Sequence, residues 1–150
     1  TLKVKDGASK KQVAGRAFEG SHIFKHNGKY YLFASIGSCC EGDNSTYHVG
    51  VGRSDSPTGP FIDRNGKDMI DNGYTLVISG DNITRGPGHG SQIATDTNGD
   101  TWYLYHGYTK GRAKEGRMMW LDKILWDEQG WPYIETGSPS HTPQKAPVFK

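Results

Sequence analysis

An all-β architecture is what this sequence predicts, and three observations predict it. Short runs rich in Tyr, Phe, Val and Ile recur along the chain, several alternating between apolar and small or polar residues as a half-buried strand does. Four Asn-Gly pairs punctuate the chain, at Asn27-Gly28, Asn65-Gly66, Asn72-Gly73 and Asn98-Gly99. Both residue types tolerate the positive φ that tight hairpin turns need. No window of about 12 residues carries a helical period.

Taken in order, the strands fall at residues 21–25, 29–35, 46–54, 74–79, 101–106 and 118–126. The second holds Tyr30, Tyr31, Leu32 and Phe33 directly after an Asn-Gly turn. In the third, Val49 and Val51 alternate with His48, Gly50 and Gly52. The fifth repeats the second: residues 97–105 resemble residues 26–33 at an offset of about 71, each an Asn-Gly turn feeding an aromatic strand. Residues 137–150 contain three prolines and little periodicity, and read as an irregular tail. A unit of about 70 residues fits little more than twice into 150. Closed propellers need roughly four to eight blades, so two units imply part of a larger fold. An opening of TLKVKDGASKK, with neither an initiator Met nor an apolar signal core, leads to the same expectation.

Composition narrows the function. Eighteen Lys and Arg against 16 Asp and Glu leave a net charge of +2 with no long basic run, which argues against a nucleic-acid or anionic-membrane partner. No stretch reaches the roughly 18 apolar residues of a membrane span. The two cysteines, Cys39 and Cys40, are neighbours, so a bridge between them staples no loop, and a packing or loop role is expected. There is no G-x-S-x-G, no phosphate-binding loop and no H-E-x-x-H.

Three residues stand out as carriers of chemistry. Glu19 lies between Phe18 and Gly20 at the mouth of a strand, where apolar neighbours would favour the neutral form that a general acid needs. The competing reading is an edge-strand carboxylate in water. His89 sits among Gly86, Gly88 and Gly90, which leave room for a ligand or a hydrated ion. Neutral imidazole is a common metal ligand, although one histidine lacks the spaced cluster of a zinc motif. His106 follows a strong strand closely enough to face a shared cavity, with a structural role as the alternative. Trp102, Tyr103, Tyr105, Trp120, Trp126 and Trp131 are either sheet core or a sugar-stacking surface.

Several segments together resemble one family. In order they are Glu19-Gly20-Ser21-His22-Ile23-Phe24, Ser38-Cys39-Cys40-Glu41-Gly42 with Asn44-Ser45-Thr46-Tyr47, Val51-Gly52-Arg53-Ser54, Thr58-Gly59-Pro60-Phe61, Gly86-Pro87-Gly88-His89 and Leu125-Trp126-Asp127 with Gly130-Trp131-Pro132. The chain is similar to the C-terminal part of a glycoside hydrolase family 43 arabinanase, over roughly residues 17–149. That resemblance implies about two to three blades of a five-bladed β-propeller, the N-terminal blades lying outside this chain. It implies hydrolysis of α-1,5-L-arabinofuranosidic bonds in arabinan with inversion, endo-acting, with an exo-acting arabinanase or a β-xylosidase or α-L-arabinofuranosidase as alternatives. A non-catalytic arabinan-binding propeller piece is the rival from another class.

The same resemblance makes Glu19 the general acid and His89 the holder of one mostly hydrated divalent ion, calcium. Neither composition nor the resemblance assigns substrate-binding residues; Ser38 and His106 are the candidates. The catalytic base and the pKa-modulating carboxylate have no counterpart in this chain, since Asp43, Asp55 and Asp81 lie in the wrong segments. Gly90 departs from the Asn that many members carry after the histidine. The partners implied are arabinan or its oligosaccharides and the N-terminal half of the same propeller. Because arabinan is a cell-wall polymer, a secreted or periplasmic location follows.

Overall fold

The computed structural model describes residues 4–149. Among them, nine strands form two antiparallel sheets, joined by loops that include three short 3-10 helices. The first sheet contains β1 (Glu19–His26), β2 (Lys29–Ile36), β3 (His48–Ser54) and β4 (Thr75–Ile78) in that spatial order. The second contains β5 (Thr84–Gly88), β6 (Ala94–Thr95), β7 (Thr101–Thr109), β8 (Met118–Trp126) and β9 (Pro132–Tyr133), ordered β5-β7-β8-β9 with β6 also on β7. The two aromatic runs that repeat in the sequence are β2 and β7, the second strand of each four-strand path.

Three strands were not foreseen. β6 and β9 have two residues each, too short for any pattern. β5 reads Thr-Arg-Gly-Pro-Gly, a composition that argues for a loop, yet it pairs with β7 through Thr84 and Thr109, Arg85 and Tyr108, and Gly88 and His106. The register shifts between Arg85 and Gly88, and Pro87 sits at that irregularity, where the ladder tolerates a missing N–H.

Of the four Asn-Gly pairs, one makes a two-residue hairpin. Asn27 and Gly28 both take positive φ (45° and 79°) between the paired His26 and Lys29. Asn72, at φ 60°, ends the 3-10 helix Met69–Asp71. The other two belong to loops of a different kind. In Asp63-Arg64-Asn65-Gly66-Lys67 the Asp63 carboxylate accepts from the N–H groups of Asn65 and Lys67, both at 2.8 Å. Asp96 does the same for Asn98 and Asp100, and Asp127 for Gln129 and Trp131. Each loop places its glycine at positive φ.

The sheets pack face to face. Tyr31, Phe33, Val49, Val51, Val77 and Ile78 from the first meet Tyr103, Tyr105, Ile124, Trp131 and Ile134 from the second half of the chain. The aromatic residues are therefore core: Trp102, Tyr103, Tyr105 and Trp131 are buried, and Trp120 and Trp126 pack against the cluster. On the far face of the first sheet, Leu32, Ala34, Phe61 and Met69 form a second cluster capped by Val13, Ala14 and Phe18.

The tail expected at 137–150 has no strand among its described residues, but carboxylates tether it. His141 Nε2 lies 2.8 Å from Asp81 Oδ2, and Ser140 N–H donates to Asp122. Val148 N–H donates to Asp96.

Candidate active site

Glu19 opens β1 and His89 directly follows β5, so the site forms where the mouths of these two strands meet. Gly20 allows the approach: a Cβ there would lie 2.9 Å from His89 Cγ. His89 takes φ 47°, and its N–H donates to Ser35 Oγ at 2.8 Å, which ties the turn to β2.

Between the two residues stands Tyr47. Its hydroxyl donates to Glu19 Oε1 at 2.7 Å and lies 3.1 Å from His89 Nδ1. Tyr47 precedes β3, where its N–H and that of Thr46 both bond to the Ser38 carbonyl. The ring is buried, and the missing Cβ of Gly88 is what admits it: an added carbon would sit 2.3 Å from Tyr47 Cδ1. Burial first, and then the Glu19 carboxylate, push the Tyr47 phenol far above its ordinary range. The hydroxyl keeps its proton.

The glycines around His89 let protein groups pack closely against the loop, while His89 itself is exposed. The room at Gly86 is taken by Ser45, at Gly88 by Tyr47 and at Gly90 by Tyr103, whose ring atoms would lie 2.1–2.2 Å from an added Cβ. The departure at Gly90 is thus a packing requirement of this chain. Of the two readings for Glu19, the structure gives the exposed carboxylate on an edge strand, and its apolar neighbour Phe18 packs against the second cluster.

His106 lies on β7 beside the site, its ring near-parallel to Tyr47 at 6.0 Å and to His89 at 6.2 Å. Burial, and next the Arg117 cation, lower its pKa. Arg117 Nη1 stands 3.2 Å from His106 Nε2. A guanidinium only donates, so Nε2 accepts and the proton of the neutral ring is on Nδ1. The same Arg117 Nη1 is 3.9 Å from Cys40 Sγ, and Cys40 is bonded to Cys39. Ser38, half-buried, shares its hydroxyl with Thr46 Oγ1 at 3.2 Å and so braces the loop that carries Tyr47.

Sequence reasoning missed Tyr47 and Arg117. Tyr47 lay inside a recognised motif without a role, and Arg117 sits in a loop with no pattern around it. Asp43, Asp55 and Asp81 have structural work: Asp43 accepts from Gly111 N–H, Asp55 pairs with Lys29, and Asp81 accepts from Ile83 and Thr84. Among the described residues no group of three or more His, Cys, Asp or Glu is placed to hold a metal ion. An ion here would have His89 alone from this chain, through Nε2, since Nδ1 faces Tyr47. That arrangement fits a mostly hydrated ion and no closed protein cage.

The model of the family described as glycosyl hydrolases family 43 matches residues 1–132, and the chain belongs to that family. It is 39% identical over 127 residues to the extracellular exo-α-(1→5)-L-arabinofuranosidase ArbA of Cellvibrio japonicus, covering 83% of this chain and 35% of that protein. To the extracellular endo-α-(1→5)-L-arabinanase 1 of Bacillus subtilis it is 37% identical over 118 residues, 79% of this chain and 34% of the relative. The structure superimposes on an endo-arabinanase of this family from Bacillus licheniformis with a TM-score of 0.76 at 34% identity, covering 85% of this chain and 43% of that one. On an α-L-arabinanase of Cellvibrio cellulosa complexed with arabinohexaose the TM-score is 0.72 at 36% identity, covering 80% and 37%. The two sheets are blades of the five-bladed propeller of this family. The chain spans about a third of the length of the curated relatives it matches.

Proposed function

We propose that this chain supplies the acid half of an inverting endo-acting arabinanase, a glycosidase that hydrolyses α-1,5-L-arabinofuranosidic bonds in arabinan. The observation that carries the reading is the carboxylate of Glu19 held beside His89 by Tyr47 at the joined mouths of β1 and β5. Inversion needs two carboxyl groups roughly 6.5–9.5 Å apart. Glu19 protonates the oxygen of the leaving sugar as its bond to the anomeric carbon breaks. A carboxylate from the remaining blades takes a proton from water as the water oxygen attacks that carbon from the opposite face. The N-terminal half of the propeller is therefore the partner. His89 Nε2 holds one hydrated divalent ion, calcium in this reading, and such a charge shifts the local field and the pKa values around it. Relatives named extracellular support a location outside the cytoplasm.

The test is Glu19→Gln in the full-length protein. Gln keeps the shape but has no acidic proton, so turnover of linear arabinan is expected to fall by about 10²- to 10⁴-fold. An aryl glycoside with a good leaving group should suffer far less. Equal, mild losses on both substrates would remove Glu19 from the acid role, and undiminished binding without any hydrolysis by the wild type would favour a binding module. Exo action is the second reading, favoured by the likeness to ArbA. A ladder of oligosaccharides marks endo cleavage, and a single short product marks exo.

A further inference from the structure

We propose that Tyr47 is a positioning residue whose single phenolic proton decides both which oxygen of Glu19 carries the acidic proton and which nitrogen of His89 is left bare for a metal ion. The inference rests on the roles given above to Glu19 and His89. It goes beyond them because it names what orients both groups.

Two oxygens 2.7 Å apart, one a carboxylate and one a phenol, require a proton between them, and only the phenol has one to give. Tyr47 therefore donates to Glu19 Oε1. Its proton spent, the hydroxyl can only accept from His89, whose Nδ1 is 3.1 Å away. His89 is thus the Nδ1–H tautomer, and Nε2 carries the lone pair a metal ion needs. On the carboxyl side, Oε1 is occupied as an acceptor. When Glu19 takes up a proton it does so on Oε2, the oxygen not engaged by Tyr47.

The hydroxyl cannot drift from this post. The ring is buried against Gly88 and lies parallel to His106, and the backbone before β3 is pinned by Ser38. Without Tyr47, the Glu19 proton is shared between two oxygens, and His89 is free to protonate Nε2.

The test reads the tautomer directly. Nitrogen-15 NMR of histidine-labelled full-length protein, with and without added calcium chloride, should show Nδ1–H at His89 in the wild type. In Tyr47→Phe, which keeps the buried ring, that preference should be lost. Calcium affinity should fall by about 10- to 100-fold, as for other partners that orient a metal-binding histidine. Turnover of arabinan should drop by a similar factor with KM within about twofold, because the buried Tyr47 ring offers a substrate no surface. An Nε2–H tautomer in the wild type overturns the proposal without any variant. Unchanged tautomer and calcium affinity in Tyr47→Phe overturn it as well. Full activity of Glu19→Gln would instead overturn the acid assignment, because the tautomer is read without substrate.

Discussion

His22 is half-buried, and both its ring nitrogens are shut away from water with no hydrogen-bond partner among the described residues. It stacks on Phe33 at 5.2 Å and 5°, and burial lowers its pKa from 6.5 to about 4. Between those two values the unfolded chain binds the proton and the folded chain does not. The stability this neutral ring permits is complete above about pH 6.5 and is lost as pH falls to about 4, by on the order of 3 kcal/mol. Thermal midpoints across that range should fall in the wild type and stay flatter in His22→Leu; parallel curves would show that another group dominates. At the same scale, Gly88→Ala is expected to displace the Tyr47 ring and reduce turnover at least as much as Tyr47→Phe does. Activity assays on the two variants decide it. The two segments containing Glu19 and His89 were legible as residue types in order. Tyr47 was not, because 28 positions in sequence separate it from Glu19 and 42 from His89.

At the level of elements, three loops of the form Asp-x-Asn/Gln-Gly close by the same device, one carboxylate oxygen accepting from the second and fourth following N–H groups. Asp63 is buried, so its removal leaves two donors without their charged acceptor. Asp63→Ala should lower stability by about 2 kcal/mol. Asp55→Ala breaks an exposed pair with Lys29 and should cost about 0.5 kcal/mol or less. Denaturation of both variants in one series checks the contrast. Strand β5 shows why elements were only partly readable. Its Gly and Pro content signals a loop, but pairing with β7 and close approach to Ser45 and Tyr47 make a side chain at Gly86 or Gly88 untenable.

For the molecule as a whole, the two sheets bury one shared face and leave apolar surface on the other side of the second. Met119 is 76% exposed and Leu121 44%, side by side on the outer face of β8. Single exposed apolar residues are ordinary, but two successive ones on the same strand face start a patch. Expressed by itself, the 150-residue chain should associate or precipitate and release no arabino-oligosaccharides. Co-expressed with the remaining blades it should form a soluble complex that regains activity. Light scattering and a reducing-sugar assay on both preparations are sufficient. A monodisperse 16.5 kDa monomer that cleaves arabinan would mean the site is already complete.

Aromatic strands after turn residues are local signals, and from them the all-β class, the position of β2 and β7 and the repeat between them follow without coordinates. So does the Asn27-Gly28 hairpin, because positive φ at two successive residues is a local preference. The tertiary structure decided the rest. It turned three of four Asn-Gly pairs to other uses, made a strand of Thr-Arg-Gly-Pro-Gly, filled the spaces beside His89 with Ser45, Tyr47 and Tyr103, and set a phenol between an acid and an imidazole. Hydrogen-bond direction and steric room depend on which distant residues meet, and no local pattern encodes that meeting.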